Sequence, residues 1–521
     1  MFNKIFNLFK ILRKLAESGA VDTIDNIKPV PNFFKFIVYL FSIGSSKKLA
    51  ALNKSPGEKL CGSLESMGPT FIKLGQFLAT RPDIIGEEIA KSLEKLQDKL
   101  PAFNTSEAKQ IIKKEIGEKF NSKIKNVSEP IAAASIAQVH FAKIEIDGSE
   151  KDLAIKILRP NIQKIFNEEL DALNFLAYLI ENIFRKTKRL RLVEVIFLLK
   201  QITNMEMDLR FEAAAASELR ENTLNDKGIK VPKIYWNFTS KKILTLDKIE
   251  GVSIRDTVKI KSLNVDLKIL SENLIQIFLK QAVRDGFFHA DMHQGNLFVD
   301  KDGNIVPVDF GIMGRLDKNN RKYLAEILFG FINRDYSKVA EMHFLAGLVP
   351  VNTSKDELTQ ALRSIGEPIF GQSIKDISGA NLLGQLFEIT EKFNMHTQTQ
   401  LLLLQKTMVV VEGVARKINP ETNIWQVSRP VLENWMQSIK GPKSTIKNTI
   451  ELSKDILQKI PDLPNVMDNA NTTLQMIAEG KFNLNSVSGK NFEVEELKLK
   501  NLRNNMIIVI LGVVIGLFIV F

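Results

Sequence analysis

Two carboxylates and an amide fall close together between Phe287 and Gly311, in the stretch FFHADMHQGNLFVDKDGNIVPVDFG. Asp291 and Asn296 precede a short apolar run, Leu297–Val299. Asp302-Gly303 is a turn pair, and the run Ile305–Val308 delivers Asp309. Two apolar runs joined through Asp-Gly predict a β-hairpin. A hairpin returns the chain, so Asn296 and Asp309 are expected side by side. Oxygen ligands gathered at one spot suit Mg²⁺ and a phosphate chain, because hard cations take oxygen donors.

The same residues resemble the protein-kinase signature, a catalytic loop H-R-D-x-x-x-x-N followed by D-F-G. His289-Ala290-Asp291 and Asn296 keep the Asp-to-Asn spacing, and Asp309-Phe310-Gly311 is a literal DFG. DFG alone occurs by chance in loops; all the parts in order around a hairpin do not. A second reading makes His289, Asp291 and His293 a transition-metal cluster. Against it stands the lack of a further His or Cys close by.

Such a site needs a cation for the phosphates and an element to hold it. Small residues run from Pro130 to His140 (PIAAASIAQVH), then β-type alternation continues through Ile146. Asp147-Gly148 can turn the chain, and Leu153–Leu158 follows as a second strand. Lys156 interrupts that strand. A lysine there commonly snorkels from an edge. The string Ala154-Ile155-Lys156 also matches the kinase V-A-I-K, whose lysine binds the α and β phosphates. With DFG downstream, the second reading is preferred. Glu206-Met207-Asp208-Leu209-Arg210-Phe211-Glu212-Ala213 reads as one helix, and Glu212 is the best acidic partner for Lys156. Val231–Trp236 and Ile243–Leu246 read as further strands. Asp247–Gly251 then leaves for a helical lobe, as a hinge that would present backbone groups to adenine.

The rest of the chain frames this centre. Residues 161–203 read as long helices with a basic patch at Arg185–Arg191, and 267–285 is helical. After Gly311 the chain is mainly helical to about residue 440. Residues 56–100 read as helical around an odd island, Gly68–Phe77, in which Lys73, Gly75 and Gln76 sit among apolar residues. Taken alone, that island is a helix with a solvated lysine. Residues 33–44 are apolar but too short to span a bilayer. The first fifteen residues place Phe2, Ile5, Phe6, Phe9, Leu12 and Leu15 at helical spacing with a basic opposite face. This fits a membrane-surface helix or a packed one, and no cleavable signal is evident.

The chain has 521 residues, 45% of them hydrophobic and 25% charged, and carries a net charge of +11. That length allows two or more structural units. The basic balance fits an anionic membrane surface. No zinc spacing, RNA-binding aromatic motif or dense basic tract favours nucleic acid. The single Cys61 excludes an internal disulfide and suits a reducing compartment. Residues 440–490 are more polar, with Pro461 and Pro464 breaking helices. Met506–Phe521 carries no charge, and Lys498, Lys500 and Arg503 precede it. Sixteen residues of helix span roughly 24 Å, slightly short of a hydrocarbon core of about 30 Å. A tail anchor is favoured over a buried helix, because the basic flank is the one expected on the cytoplasmic side.

Together these features resemble the atypical kinase-like family called UbiB or ADCK, from roughly residue 10 to 345. Lys73-Leu74-Gly75-Gln76 matches its K-x-G-Q motif, and Ala132–Val139 its alanine-rich loop, which replaces the kinase glycine-rich loop. Glu206-Met207-Asp208 matches E-x-D, and the HADMHQGN and DFG segments match its catalytic and metal loops. Gln294 stands where the family usually has Pro. The resemblance implies a bilobal, protein-kinase-like α+β fold. It has a helical extension in 1–125, an N-lobe with a helical insertion in 126–251 and a helical C-lobe in 252–440. A linker in 441–505 leads to a transmembrane anchor in 506–521.

In the family the extension folds over the active site. That gives Lys73 and Gln76 partners in Glu206 and Asp208, and it closes the groove where a protein substrate would bind. The expected cofactors are ATP and Mg²⁺. Asp291, Lys156 and Glu212 are the catalytic set, and Asn296 and Asp309 the metal ligands. Ala132, Ala133, Ala134, Ser135, Ile136 and Ala137 cover the phosphates, with Lys73, Gln76, Glu206 and Asp208 beside them. The implied activity is an ATPase supporting ubiquinone biosynthesis at the bacterial inner membrane, its catalytic domain facing the cytoplasm. Expected partners are ATP and ADP, anionic lipid, and quinone-pathway lipid intermediates or enzymes. Nucleic acid is not among them, and the oligomeric state is left open. The alternatives are a small-molecule or protein kinase, or a nucleotide-binding scaffold of a quinone-biosynthetic complex.

Overall fold

The structure is a computed structural model that describes residues 6–7, 10–11, 13–14, 55–79, 85–93, 96, 100–117, 122–183, 188, 191–371, 388–390, 392–395 and 399–440. The chain divides into two compact units, Met1–Trp435 and Met436–Phe521; of the second, only the end of the last helix is described.

Helices come first: α1 (Pro56–Met67), α2 (Pro69–Ala79), α3 (Glu87–Leu93) and α4 (Thr105–Ile116). Ser55 caps α1 in a capping box with Glu58. Gly68-Pro69 then separates α1 from α2, because Gly68 takes φ 107° and Pro69 supplies a helix-starting residue. The helix α2 carries the K-x-G-Q residues. Gly75 lies tight against its neighbours: a Cβ there would stand 2.8 Å from Leu64 Cδ1 of α1 and closer still to Leu96.

Strands β1 (Ile124–Lys125), β2 (Ala132–Ala133), β3 (Ala137–Ile146), β4 (Ser149–Leu158) and, later, β5 (Ile243–Asp247) form one antiparallel sheet. Its order is β1-β3-β4-β5, with β2 also on β3. Asp147 and Gly148 both take positive φ, 51° and 76°. That is what a two-residue turn between twisted strands requires. Period-two alternation sends Ile155 and Ile157 into a core with Ala108 and Ile112 of α4, and turns Lys156 to the opposite face.

Between β4 and β5 lie α5 (Ile162–Ile183), α6 (Leu192–Glu206) and α7 (Leu209–Thr223). The expected single helix through Glu206–Ala213 is broken at Met207-Asp208. Asp208 has extended backbone and its side chain accepts from Arg210 N, so it is the N-cap of a new helix. Val231–Trp236 is not a strand either, beyond an isolated bridge from Ile234 to Leu246. Pro232 has no N–H to donate, and Lys233 gives its own to Asp247 Oδ2.

Past β5 the chain passes to β6 (Gly251–Ser253), α8 (Thr257–Ser262) and α9 (Leu267–Leu279), which runs into a π-helical turn at Lys280–Asp285. Then come β7 (Phe287–His289), β8 (Leu297–Asp300), β9 (Ile305–Pro307) and β10 (Met313–Arg315). A three-stranded sheet has the order β6-β8-β9, and β7 pairs with β10. The helices α10 (Lys318–Ile332), α11 (Tyr336–Leu345), α12 (Lys355–Gly371), α13 (Thr399–Ile418) and α14 (Ile424–Lys440) follow, with α13 packed along α9. This is the mixed helix-and-sheet architecture expected of a kinase-like fold.

Near the N-terminus Ile11 is buried while Phe6 is exposed, and Lys14 Nζ donates to Met67 O at 3.4 Å. This helical stretch therefore packs at least in part on the protein. Among the described residues, no helix is long and apolar enough to cross a membrane. Residues 33–44, the 441–505 linker and the expected anchor at 506–521 lie outside the described residues.

Candidate functional site

Lys156 is the hub. Its Nζ donates to both Glu212 oxygens, at 2.8 and 2.9 Å, and to Asp309 Oδ1 at 3.2 Å. Strand β4 aims the lysine, and α7, started by the Asp208 cap, presents Glu212 in its first turn. The Lys156 and Glu212 side chains are 14% and 9% exposed, whereas Asp309 is 50% exposed. Burial alone would lower the lysine's pKa, but Asp309 and Glu212 outweigh it and hold the ammonium above its ordinary value. Lys156 in turn holds the Asp309 carboxyl far below the usual range, against burial, with help from Lys73 and His289. Asp309 therefore stays an anion with one side open to solvent.

The hairpin sets the second half of the site. Leu297 pairs with Pro307, and Gly303 takes φ 80° in the turn. Asp300 ties that turn by accepting from Asp302 N and Asn304 N. Val308 N donates to Asn296 O at 2.8 Å, so Asn296 and the residue before Asp309 adjoin, as a returning hairpin requires. Asn296 Nδ2 donates to Asp291 O at 3.1 Å and to Asp291 Oδ2 at 3.0 Å. Its amide oxygen is thereby turned away from the Asp291 carboxylate.

His289 is fully buried and joins the loop that carries Asp291 to the segment leading from β9 into Asp309-Phe310-Gly311. Its Nδ1 accepts from Asp291 N at 3.1 Å, which makes Nε2 the donor to Val308 O at 3.3 Å. The Phe310 ring lies against it at 5.7 Å, and burial lowers its pKa. With both nitrogens engaged, His289 has no lone pair for a metal. That removes the His289–Asp291–His293 cluster. Among the described residues, no three His, Cys, Asp or Glu side chains are arranged to hold a metal by themselves. An ionised Asp309 and an Asn296 amide oxygen fit a hard cation that draws the rest of its oxygen shell from phosphate and water.

The alanine-rich segment, expected as a small-residue loop ahead of the β3–β4 hairpin, is itself a tight hairpin on β3. Ala134 N donates to Ala137 O at 2.8 Å, and Ala132 pairs with Val139, which pairs with Lys156. Ala133 completes β2, and Ser135 and Ile136 form the turn. Arg159 clamps that turn. Its Nε and Nη2 donate to Ala134 O at 3.0 and 2.8 Å, its Nη1 to Pro101 O at 2.9 Å, and its backbone N to Ile136 O. Arg159 carried no motif and escaped the sequence reading; its place just after a strand, before a proline, was the only signal.

Lys73 Nζ lies 2.9 Å from Glu206 Oε2, with both side chains mostly buried. Gln76 shares that face of α2, three residues on. Asp208 departs from the expected grouping. Arg210 takes up its carboxylate at 2.9 and 2.6 Å and holds it below its usual pKa, so Glu206 is the acid that meets Lys73.

The chain matches the ABC1 atypical kinase-like domain over residues 95–343 and the UbiB helical domain over residues 362–423. It is 36% identical over 519 residues to a protein of Histophilus somni named "Probable protein kinase UbiB". That match covers 98% of this chain and 93% of the relative. A Marinobacter nauticus protein of the same name is 39% identical over 421 residues, covering 80% and 76%. The solved Rv3197–erythromycin complex from Mycobacterium tuberculosis aligns with a TM-score of 0.46 and 22% identity, over 69% of this chain and 90% of that one. The K-x-G-Q helix precedes the ABC1 match but falls within the near-full-length similarity to the Histophilus protein.

Proposed function

This chain belongs to the ABC1/UbiB atypical kinase-like family, and from that premise we propose that it is a membrane-associated ATPase supporting ubiquinone biosynthesis. The observation that carries the reading is Lys156 held between buried Glu212 and half-open Asp309, one strand from the alanine-rich hairpin. Phosphoryl transfer asks mainly for positioning and charge neutralisation. Lys156 would take the α and β phosphates, and Asp309 and Asn296 would hold Mg²⁺, which supplies the charge neutralisation. Asp291 orients a water or hydroxyl and accepts its proton. The hairpin 132–137 covers the phosphates.

Lys73 against Glu206 supports a site closed from the side of the extension. Such a site admits nucleotide more readily than a protein substrate. The proposed organisation is the extension in 1–125, lobes in 126–251 and 252–440, a linker in 441–505 and an anchor in 506–521. The charge of +11 and the uncharged terminal segment support attachment to an anionic bacterial inner membrane, with the site on the cytoplasmic side. There it would act on or present quinone-pathway lipid intermediates.

The test is quinone and intermediate profiling in cells lacking the protein, with wild type or Asp291→Asn added back. The reading expects only wild type to restore the quinone. Restoration by both would favour a scaffold without turnover.

A further inference from the structure

We infer that Thr407, on the helical-domain helix α13, is a positioning residue for Asp291. This rests on the proposed role of Asp291. Thr407 is the one hydroxyl in the run Leu401–Val411 and is 1% exposed. Its Oγ1 donates to the Ala290 carbonyl at 3.0 Å, across 117 residues of sequence. Oγ1 also lies 2.7 Å from Leu403 O, one turn back in its own helix. A hydroxyl has one hydrogen. The Leu403 carbonyl already takes the helical N–H of residue 407, whereas Ala290 lies beyond the end of its strand. The hydrogen is divided between the two carbonyls, and Ala290 O is the partner outside the helix.

The geometry around Asp291 shows what that bond does. The Ala290–Asp291 peptide is pinned at both ends: Thr407 holds its carbonyl, and its N–H donates to His289 Nδ1. The preceding N–H, of Ala290, donates to Ile312 O at 3.0 Å. The following carbonyl, of Asp291, accepts from Asn296 Nδ2. With the peptide planes on both sides of its Cα held, the direction of the Asp291 Cα–Cβ bond is set, and Asn296 Nδ2 holds the carboxylate at its end. Three of these bonds come from the catalytic loop, its neighbouring strand and the hairpin. The fourth comes from a helix within the UbiB helical domain match, residues 362–423. That domain thus reaches the chemistry through one hydroxyl. Without it, the plane preceding Asp291 loses one of its two ties, and the carboxylate samples directions away from the attacking oxygen.

The test compares the purified full chain with Thr407→Val, which keeps the shape and loses the hydroxyl, and Thr407→Ser, which keeps the hydroxyl. Mg²⁺-dependent phosphate release from ATP is measured for kcat and KM. The expected result is a fall in kcat of about 10- to 100-fold for Thr407→Val, the size of a small misplacement at a reacting centre. KM for ATP stays within about two-fold, and Thr407→Ser recovers most of kcat. Where Thr407→Val does not fold, Thr407→Ala removes the same hydroxyl without adding a branched methyl. A purely structural role would lower the melting temperature of the hydroxyl-free variant and leave kcat of the folded fraction unchanged; that outcome overturns the inference. Equal losses in the Val and Ser variants also overturn it. Absence of turnover in wild type defeats the underlying ATPase reading instead.

Discussion

Lys156 Nζ stands 3.2 Å from Asp309 Oδ1, two residues that the chain separates by 153 positions. The contact joins the strand that carries the proposed phosphate-binding cation to the loop that carries the proposed metal-binding carboxylate. The one ammonium is shared between Asp309 and the buried Glu212, which leaves the group a net negative charge. In the proposed site, nucleotide phosphates would become the partner of Lys156 and Mg²⁺ that of Asp309.

Removing Lys156 tests that pairing together with the buried one behind it. Lys156→Ala is expected to abolish ATP turnover with the chain still folded. It also leaves Glu212 buried without its cation, which costs about 1–3 kcal/mol, below the usual cost of breaking a buried pair because Glu212 can take up a proton. Lys156→Ala combined with Glu212→Gln should recover stability in urea unfolding without recovering turnover. A double variant no more stable than the single one would contradict this.

Asn296 offers a separate handle on the metal. Its Nδ2 is committed to Asp291, which leaves the amide oxygen for the cation. Asn296→Ala should raise the Mg²⁺ needed for half-maximal turnover by about 10-fold or more. Asn296→Asp replaces a donor by an acceptor 3.0 Å from the Asp291 carboxylate, and is expected to lose turnover at every Mg²⁺ concentration. A Mg²⁺ titration of both variants reads the difference.

The Lys73–Glu206 contact holds α2 against the end of α6. Lys73→Ala and Glu206→Ala should each speed backbone hydrogen exchange across residues 69–79. If the pair acts as a unit, the double variant exchanges no faster than the worse single one. Additive effects would mean that the two residues act independently.

Burial lowers the pKa of His289, and of His343, whose Nδ1 donates to Val339 O. Both are therefore neutral in the fold at pH values where the unfolded chain is protonated. The unfolded state binds more protons, so stability is fully present above the ordinary histidine pKa of about 6.5 and is lost as pH falls below it. Urea unfolding at pH 7.5, 6.5 and 5.5 should show that loss. His343→Gln should reduce the slope by at most about 1.4 kcal/mol per pH unit, the limit for one proton. Asp309 contributes in the same direction but only under stronger acid: its depressed pKa gives stability present above about 3.8 and lost as pH falls through its folded value.

What could be read in the sequence was what local chemistry encodes. The hairpin at 297–307 follows from apolar runs and an Asp-Gly turn, and the β3–β4 turn from Asp147-Gly148. Lys156 stood out because a lysine interrupts an otherwise apolar strand. The helix break at Asp208 was also legible, since an Asp beside an acidic first turn is a capping signal. The segment Glu206–Ala213 nonetheless reads as one continuous helix when its acids are taken only as helical residues. Other features depend on long-range partners. The alanine-rich segment becomes a hairpin because Arg159 and β3 hold it, and no local period marks that. Val231–Trp236 has strand-like composition and meets β5 through Tyr235 N to Thr245 O and Asp247 N to Lys233 O, but Pro232 and the Asp247 carboxylate limit the pairing to an isolated bridge. Thr407 is one hydroxyl in an apolar helix, and only the folded chain reveals the Ala290 carbonyl opposite.

The central claim is that Asp291 and Asp309 form a working phosphoryl-transfer centre. Phosphate release from ATP by the purified full-length chain tests it most directly, with and without Mg²⁺ and with Asp291→Asn alongside wild type. The account predicts Mg²⁺-dependent release by wild type and loss of at least about 100-fold in Asp291→Asn, at an unchanged melting temperature. Equal release by the two proteins, or release indifferent to Mg²⁺, would contradict it.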